Sequence, residues 1–404
     1  MGHMIDQYQT HKIRTTLPQQ SSFELLRNLL KDVFPTKTFK PIALHLGEVA
    51  TCCADNELFS GLTHTADWAR YPPLGGTEEL KTAYKNWISR SFHCSLDETS
   101  YAIEPTAGSK QAISVLIKLA VDQSALSASG RSFVVMSNPF YPTYYSAVHY
   151  SSAEPIFYDA DAENLVDAIM QVVKKSDKVA ALILCNPGQP NGRIISIDVL
   201  CAIHKLALEF GFQLIIDECY IDFAPTYSAG YANTVRDNTD ALQNVVLLHS
   251  LSKRSSAPGL RSGFLFGDRD LVAAYASYNR NCGVSLSYNV CSVAASLWKD
   301  DKHIAQQRAR IAYNWSIADA ILGDIPGYKR VLAGLFLWLP VEDDQKVARE
   351  LWERTAVKTM PGSYLGAEDC TGHNPGKNHL RISLSAQSTQ VETALQRMKS
   401  VLVS

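Results

Sequence analysis

The chain alternates short apolar runs with amphipathic stretches between about residue 75 and residue 270. Short β-branched runs are typical of strands covered on both faces, whereas apolar positions at a 3.6-residue period are typical of helices packed on a sheet. This alternation predicts strand–helix units and a mostly parallel sheet, an α/β fold. The runs that we assign to strands are 132–136, 179–184, 212–216, 245–249 and 263–266.

Two helices in this region have clear ends. One begins after Thr77, a good N-cap, and another runs over 198–210 and stops at Gly211. The apolar residues of the first helix fall on one face, which we expect to be buried; they are Leu80, Ala83, Tyr84, Trp87 and Ile88.

Beyond about residue 290 the pattern changes to longer helical stretches, an apolar run at 331–339 and an amphipathic helix at 389–402. A chain of 404 residues is longer than one hydrophobic core usually spans. We therefore expect a larger domain at 48–290 and a smaller α+β domain formed by 4–47 together with 291–404. The N-terminal part should contribute a helix near 23–30.

Composition narrows the classes of partner. Apolar residues make up 46% of the chain, charged residues 19%, and the net charge is -2 without a dense Lys/Arg tract, so nucleic acid and anionic membranes are disfavoured as partners. The longest apolar runs are too short to cross a bilayer. Nine scattered cysteines without a Cys-x-x-Cys spacing indicate neither a disulfide framework nor a metal site. We expect a cytoplasmic protein that binds small molecules.

Polar residues follow three of the apolar runs directly. Asn186 follows the second run, Asp217 and Tyr220 follow the third, and Ser250, Ser252 and Lys253 follow the fourth. Ligands of open α/β sheets bind beyond the carboxyl ends of the strands. These side chains should therefore lie near one another at one edge of the sheet.

A turn at Gly108, Ser109 and Lys110 precedes another helical stretch. The free N–H groups at a helix N-terminus can hold a phosphate, although a Gly-Ser cap alone explains the same residues. Neither Gly-x-Gly-x-x-Gly nor a Walker sequence is present, so a dinucleotide or a nucleoside triphosphate is not indicated.

The motifs, taken together, resemble those of the fold-type-I aminotransferases. Segments similar to that family occur in the family's order over roughly residues 45–385: YPPLGG at Tyr71, AGSKQA at Gly108, NPFYPTY at Asn138, NPGQPNG at Asn186, DECY at Asp217, SLSKRSSAPGLRSGF at Ser250 and LRISLS at Arg381. The resemblance implies the family's two-domain fold, pyridoxal 5'-phosphate as cofactor, amino acids and 2-oxo acids as substrates, and a homodimer with shared active sites.

The resemblance also implies the catalytic roles. Lys253 would carry the cofactor as a Schiff base and act as general base, since an uncharged lysine suits both tasks. Asp217 would stabilise a proton on the pyridine nitrogen, which lets the ring accept electrons. Tyr220 and Asn186 would bond to the ring's phenolate oxygen, although Asn186 also fits a simple Asn-Pro turn.

Binding roles follow in the same way. The phosphate would lie among Gly108, Ser109, Lys110, Ser250, Ser252 and Arg261, with Tyr141 stacked on the ring and Tyr71 reaching the phosphate of the neighbouring subunit. Arg381 would bind the substrate α-carboxylate, because an arginine on a short apolar strand needs an anionic partner; a structural ion pair is the alternative. Gly47 would let the backbone approach that carboxylate. Arg280, Asn281 and Ser285 are candidates for distal substrate groups.

Three segments look most like the bacterial N-succinyldiaminopimelate aminotransferases of the lysine pathway, which use glutamate as amino donor. They are NPFYPTY, SLSKRSSAPGLRSGF, and MPGSYLG with the later HNPGKNHLRISL. An aspartate, alanine or aromatic aminotransferase and a carbon–sulfur lyase on the same fold stay open as alternatives. Ser250 to Lys253 also fits the Ser-x-x-Lys pattern of penicillin-binding enzymes, but the Lys-Thr-Gly and Ser-Asp-Asn elements of that class are absent.

Overall fold

The computed structural model describes residues 20–36, 39–47, 56–63, 70–94, 101–127, 130–176, 178–236, 242–369 and 371–403. The portions of the expected domains at 4–19 and 48–55 lie outside these residues. The strands are β1 (Ile42–Ala43), β2 (Tyr101–Thr106), β3 (Phe133–Asn138), β4 (Glu154–Asp159), β5 (Val179–Cys185), β6 (Gln213–Asp217), β7 (Val245–Ser250), β8 (Gly263–Asp268), β9 (Phe336–Pro340), β10 (Val357–Lys358), β11 (Met360–Pro361) and β12 (His379–Ser383).

The α-helices connect these strands or flank them. They are α1 (Ser22–Leu30), α2 (Glu78–Phe92), α3 (Ser109–Ser127), α4 (Pro142–Tyr150), α5 (Leu165–Lys174), α6 (Ile197–Phe210), α7 (Leu251–Arg254), α8 (Arg269–Asn281), α9 (Tyr288–Lys299), α10 (Lys302–Leu322), α11 (Asp344–Thr355) and α12 (Ser388–Leu402).

A seven-stranded sheet forms the centre of the molecule, in the order β2-β8-β7-β6-β5-β3-β4. Five neighbouring strands from β4 to β7 run parallel, and β8 pairs antiparallel with both β7 and β2. The sheet confirms the expected mostly parallel α/β fold, and all five expected strands are present. The strands β2 and β4 were not predicted, because Pro105 and Pro155 interrupt their apolar pattern.

Helices cover both faces of this sheet. Along β6, Ile215 belongs to the apolar core that includes residues of α3, α4 and α8, whereas Leu214 and Ile216 belong to the core that includes residues of α2, α5 and α6. Alternation of side chains along each strand therefore divides the apolar residues between two cores. The α2 face predicted from the sequence is buried, and the Thr77 side chain accepts a hydrogen bond from the Leu80 amide at its start.

A further core lies around the antiparallel sheet β11-β12-β9 and the helices α10, α11 and α12. The helix α9 packs instead against α2, so its apolar side belongs to the core of the large sheet. We keep the two-domain division as a proposal and place α9 with the larger domain. Among the described residues, no helix is long and apolar enough to cross a membrane.

Candidate active site

A cavity of about 440 Å³ lies where the carboxyl ends of the central strands meet the second core. Side chains from β6, from the turn after β7 and from the start of α3 line one side, and Phe336 and Arg381 line the other. Most of the residues expected from the sequence line this cavity: Gly47, Ser109, Lys110, Tyr141, Asp217, Tyr220, Ser250, Ser252, Lys253, Arg261 and Arg381.

Lys253 enters the cavity from α7, the single helical turn that follows β7. Its Nζ donates a hydrogen bond to the Gly47 carbonyl at 2.5 Å and lies 6.0 Å from the ring centroid of Tyr220. A Cβ at Gly47 would lie 3.1 Å from that Nζ and 2.8 Å from Phe336. Glycine at this position therefore lets the backbone approach the lysine closely.

Asp217 lies at the end of β6 and is 4% exposed. One carboxylate oxygen accepts a hydrogen bond from the Tyr144 hydroxyl at 2.8 Å, and the other accepts the Cys219 amide at 3.1 Å. Burial, followed by the charge of Asp217, raises the pKa of the Tyr144 hydroxyl far above its ordinary value. Tyr144 therefore stays a hydrogen-bond donor to Asp217.

Sequence reasoning overlooked Tyr144, although it is the last residue of NPFYPTY. Tyr141, three residues earlier, also lines the cavity, and the two rings meet edge to face with centroids 5.5 Å apart. Residues three apart on a helix share a face, which was the available signal. Tyr220 lies in the same cavity, and burial raises its pKa well above the ordinary value. All three phenols are therefore protonated at neutral pH.

The start of α3 and the loop after α7 form a cationic cup. Gly108 has a φ of +86°, which favours glycine, and a Cβ there would lie 2.4 Å from Arg261 Nη2, so a side chain at this position would displace the guanidinium. Arg261 donates to the carbonyls of Pro258 and Ala107 at 3.0 and 3.3 Å. The Ser250 side chain caps α7, accepting the Ser252 amide at 3.1 Å. An anion in this cup would meet a helix N-terminus and a guanidinium.

Arg381 is a buried cation on β12. Its Nη2 donates to the His45 carbonyl at 2.9 Å, its guanidinium lies 4.4 Å from the ring centroid of Phe336, and its Nε has no hydrogen-bond partner. Burial lowers its pKa to about 10, which leaves it charged at neutral pH. No carboxylate of the described residues pairs with Arg381, so the alternative of a structural ion pair has no partner there and the guanidinium can accept an incoming anion.

Among the expected site residues, Asn186 and Tyr71 do not line the cavity. Gly108 does not line it either, but it lies against the guanidinium of Arg261, which does. Asn186 is fully buried; its amide nitrogen donates to the carbonyls of Ala229 and Ile195, and its oxygen accepts the Ile195 amide. The carboxamide thus holds the loop after β5, and its expected bond to the cofactor stays a proposal. Tyr71 is 97% exposed. Arg280 and Ser285 line a different cavity, beside Glu104.

The family assignment comes from comparison with known proteins. The family model described as aminotransferase class I and II matches residues 49–398 of this chain.

The chain belongs to the class I and II aminotransferases.

Several curated and solved members of this aminotransferase family are distantly related to the chain. A probable aminotransferase of Mycobacterium tuberculosis is 27% identical over 334 residues, covering 81% of this chain and 73% of that protein. A solved aminotransferase from Neisseria meningitidis superposes with a TM-score of 0.84 at 25% identity, covering 95% of this chain and 97% of its own. The N-succinyldiaminopimelate aminotransferase of Mycobacterium tuberculosis shares the fold, with a TM-score of 0.77 at 20% identity over 95% of this chain and 97% of its own.

Aminotransferases of this family use pyridoxal phosphate, which is therefore the cofactor of this protein. The cavity fits such a group: it offers a cationic cup for a phosphate, a buried carboxylate for a pyridine nitrogen and a lysine amine for an aldehyde carbon. Clusters of three or more metal-ligating side chains do not occur in the part of the chain that the structure describes.

Proposed function

We propose that this aminotransferase transfers the amino group between N-succinyl-LL-2,6-diaminopimelate and 2-oxoglutarate, in the cytoplasm, as a step towards diaminopimelate and lysine. The observation that supports a long substrate is the extent of the cavity beyond Lys253 and Arg381. It continues past Tyr141 to the start of α1, where Ser21 and Ser22 lie beside the apolar side chains of Phe23, Met360 and Leu365. An aliphatic chain with a polar end suits that lining better than the short side chain of aspartate.

Asp217 and Lys253 would each act on a different proton, Asp217 on that of the pyridine nitrogen and Lys253 on that of the substrate α-carbon. Bound pyridoxal phosphate supplies an electron-accepting ring that stabilises negative charge developing at the substrate α-carbon. Asp217, which accepts hydrogen bonds from the Tyr144 hydroxyl and the Cys219 amide, would keep a proton on the pyridine nitrogen. In the resting enzyme the Lys253 amine would hold the cofactor covalently. After the substrate amine has replaced it, the free Lys253 amine would carry the proton that is removed from the α-carbon.

The remaining residues would bind and orient. Arg261, Ser109, Lys110, Ser250, Ser252 and the backbone at Gly108 would hold the phosphate, Tyr141 would stack on the ring, and the protonated Tyr220 would donate to the phenolate oxygen. Arg381 would bind the α-carboxylate, beside the backbone of Gly47. Donor and acceptor both carry this carboxylate, so one arginine serves both half-reactions.

We also propose a homodimer in which Tyr71 completes the phosphate site of the partner subunit. The exposure of Tyr71 supports this proposal, because a tyrosine that is 97% exposed on one subunit has its aromatic surface available to another.

Steady-state assays with purified holoenzyme test the substrate. We expect N-succinyl-LL-diaminopimelate to be the best amino donor to 2-oxoglutarate, with kcat/KM exceeding that of aspartate, alanine and tyrosine by at least about 100-fold, roughly the discrimination available from a few pocket contacts. Borohydride reduction followed by peptide mapping should place the cofactor on Lys253.

The outcomes of these assays test the substrate, the reaction class and the cofactor lysine separately. Good turnover of aspartate, alanine or tyrosine without the succinylated donor would refute the substrate but leave an aminotransferase. Release of ammonia and a thiol from cystathionine, without transfer to 2-oxoglutarate, would favour the lyase. A cofactor label on another lysine would overturn the site assignment.

A further inference from the structure

The helical turn that carries Lys253 is too short to be stable alone. The helix α7 has four residues, and a single helical turn fixes several dihedral angles for one hydrogen bond, which is unfavourable in isolation. Its conformation must therefore depend on tertiary contacts. Since the direction of the Lys253 side chain follows from its backbone, those contacts also set where the amine lies.

The first turns of α10 supply such contacts. Gln307 is fully buried; its amide nitrogen donates to the Lys253 carbonyl at 2.7 Å, and its oxygen accepts the Ser256 hydroxyl at 2.8 Å. One turn earlier, His303 forms a hydrogen bond with the Ser255 hydroxyl at 2.9 Å. Two side chains of one helix therefore hold the residues from Lys253 to Ser256.

Arg254, the last residue of α7, also holds this helical turn in place. Its guanidinium lies between the indoles of Trp87 and Trp298, 5.1 and 5.3 Å from the ring centroids. It also donates to Asp222 and to Asp301, the residue that precedes α10. Because Arg254 is fixed, a shift of the lysine backbone relative to α10 would also disturb a buried ion pair.

The other half of α10 belongs to the second core. Ile311 and Trp315 pack there with Ile382 of β12, the strand that carries Arg381. Asn314 donates to the carbonyls of Leu384 and Ala386, just beyond that strand, at 2.7 and 3.0 Å. One rigid helix thus contacts both the lysine turn and the end of the arginine strand.

We infer that Gln307 is a positioning residue for Lys253: its bond to the Lys253 carbonyl keeps the amine aligned for proton transfer. The inference rests on the proposed role of Lys253. Removing the donor leaves a buried carbonyl without its side-chain partner and allows the turn to move. A displacement of about 1 Å at a reacting group can lower a rate by about 100-fold.

The test compares two buried amides of α10. Gln307→Met removes the bonds to the lysine turn at nearly constant shape, whereas the control Asn314→Leu removes bonds at the other end of the same helix. For Gln307→Met we expect kcat to fall by about 10- to 100-fold. The KM of the best amino donor should change less than about twofold. The kinetic isotope effect with the α-deuterated donor should rise, because proton transfer becomes more rate-limiting. Asn314→Leu should lower stability without raising the isotope effect.

A cofactor-free measurement gives a second readout. In the apoprotein, amide hydrogen exchange of the peptide spanning 251–257 should quicken in Gln307→Met but not in Asn314→Leu. Gln307→Glu, whose carboxylate can accept from Ser256 but cannot donate to the Lys253 carbonyl, should reproduce both the kinetic and the exchange defect if Gln307→Met does not fold.

Two results would overturn the inference: an unchanged isotope effect and exchange rate in the Gln307 variants, or equal changes in Asn314→Leu. Failure of the proposed role of Lys253 is distinguishable, because borohydride would then leave Lys253 unlabelled in the unsubstituted protein. Failure of the proposed substrate is also distinguishable, because the unsubstituted protein would then turn over another amino donor.

Discussion

At the scale of single residues, the surroundings of Arg381 are those of a ligand-binding arginine and not those of an arginine in a structural ion pair. A buried cation without a carboxylate partner is unfavourable for folding, since burial removes it from water and the His45 carbonyl and the Phe336 ring carry no negative charge to compensate. A structural arginine would have an acidic partner whose loss destabilises the protein. Arg381 has none among the residues described, so an incoming carboxylate would supply the missing charge.

Arg381→Leu should therefore impair binding more than folding. We expect kcat/KM for the amino donor to fall by at least about 100-fold, the equivalent of two charge-assisted hydrogen bonds. Chemical denaturation of the substrate-free protein should show a free energy of unfolding that changes by less than about 1 kcal/mol or increases. Arg381→Lys should recover only part of the affinity, because lysine lacks the bidentate geometry. A large loss of stability with an unchanged KM would support a structural role instead.

At the scale of elements, the turn between β2 and α3 shows why a particular glycine matters. Both Gly108 and Gly211 have positive φ values, +86° and +71°, so alanine strains the backbone at either position. They differ in what a Cβ would meet. At Gly211 nothing lies within 4 Å, whereas at Gly108 the Cβ would collide with the Arg261 guanidinium.

The two glycines form a matched pair of variants. Gly108→Ala and Gly211→Ala should each lower the free energy of unfolding of the apoprotein by about 1 kcal/mol. Only Gly108→Ala should also weaken pyridoxal phosphate binding, by about 10-fold or more, since it displaces Arg261 from the cup. Denaturant titration and cofactor titration by absorbance measure the two effects. Equal cofactor affinity in both variants would contradict the proposed phosphate site.

At the scale of the whole molecule, the candidate site is assembled from distant parts of the chain. Asp217 comes from the large sheet, Lys253 from the helical turn that follows β7, Arg381 from the small sheet, and Gly47 from the segment before them all. Tyr71, which lies outside the cavity of its own chain, extends the proposed assembly to a second subunit.

Mixed dimers test whether Tyr71 acts in the active site of the partner subunit. Tyr71→Ala and Lys253→Ala should each be nearly inactive alone, but a 1:1 mixture refolded together should regain about a quarter of the activity of the unsubstituted protein. Half of the dimers are then hybrids, and each hybrid holds one site with an intact lysine and the partner's intact tyrosine. No recovery, although native mass spectrometry shows hybrids, would mean that Tyr71 acts within its own subunit.

The sequence by itself determined the elements and most of the candidate site. The five expected strands, the caps at Thr77 and Gly211, and the convergence of Asp217, Ser250 and Lys253 follow from local patterns, because periodicity, capping and the polarity of parallel strands are short-range properties. The resemblance to a known family added Arg381 and Tyr141, both of which line the cavity.

Only the tertiary structure decided the contacts between residues far apart in the chain. It joined the Asn186 carboxamide to the Ala229 carbonyl, brought the Tyr144 hydroxyl to Asp217 over 73 residues, and brought Gln307 to the Lys253 carbonyl over 54. Side-chain partners of this kind depend on how packed elements meet, which the pattern of a single segment does not contain.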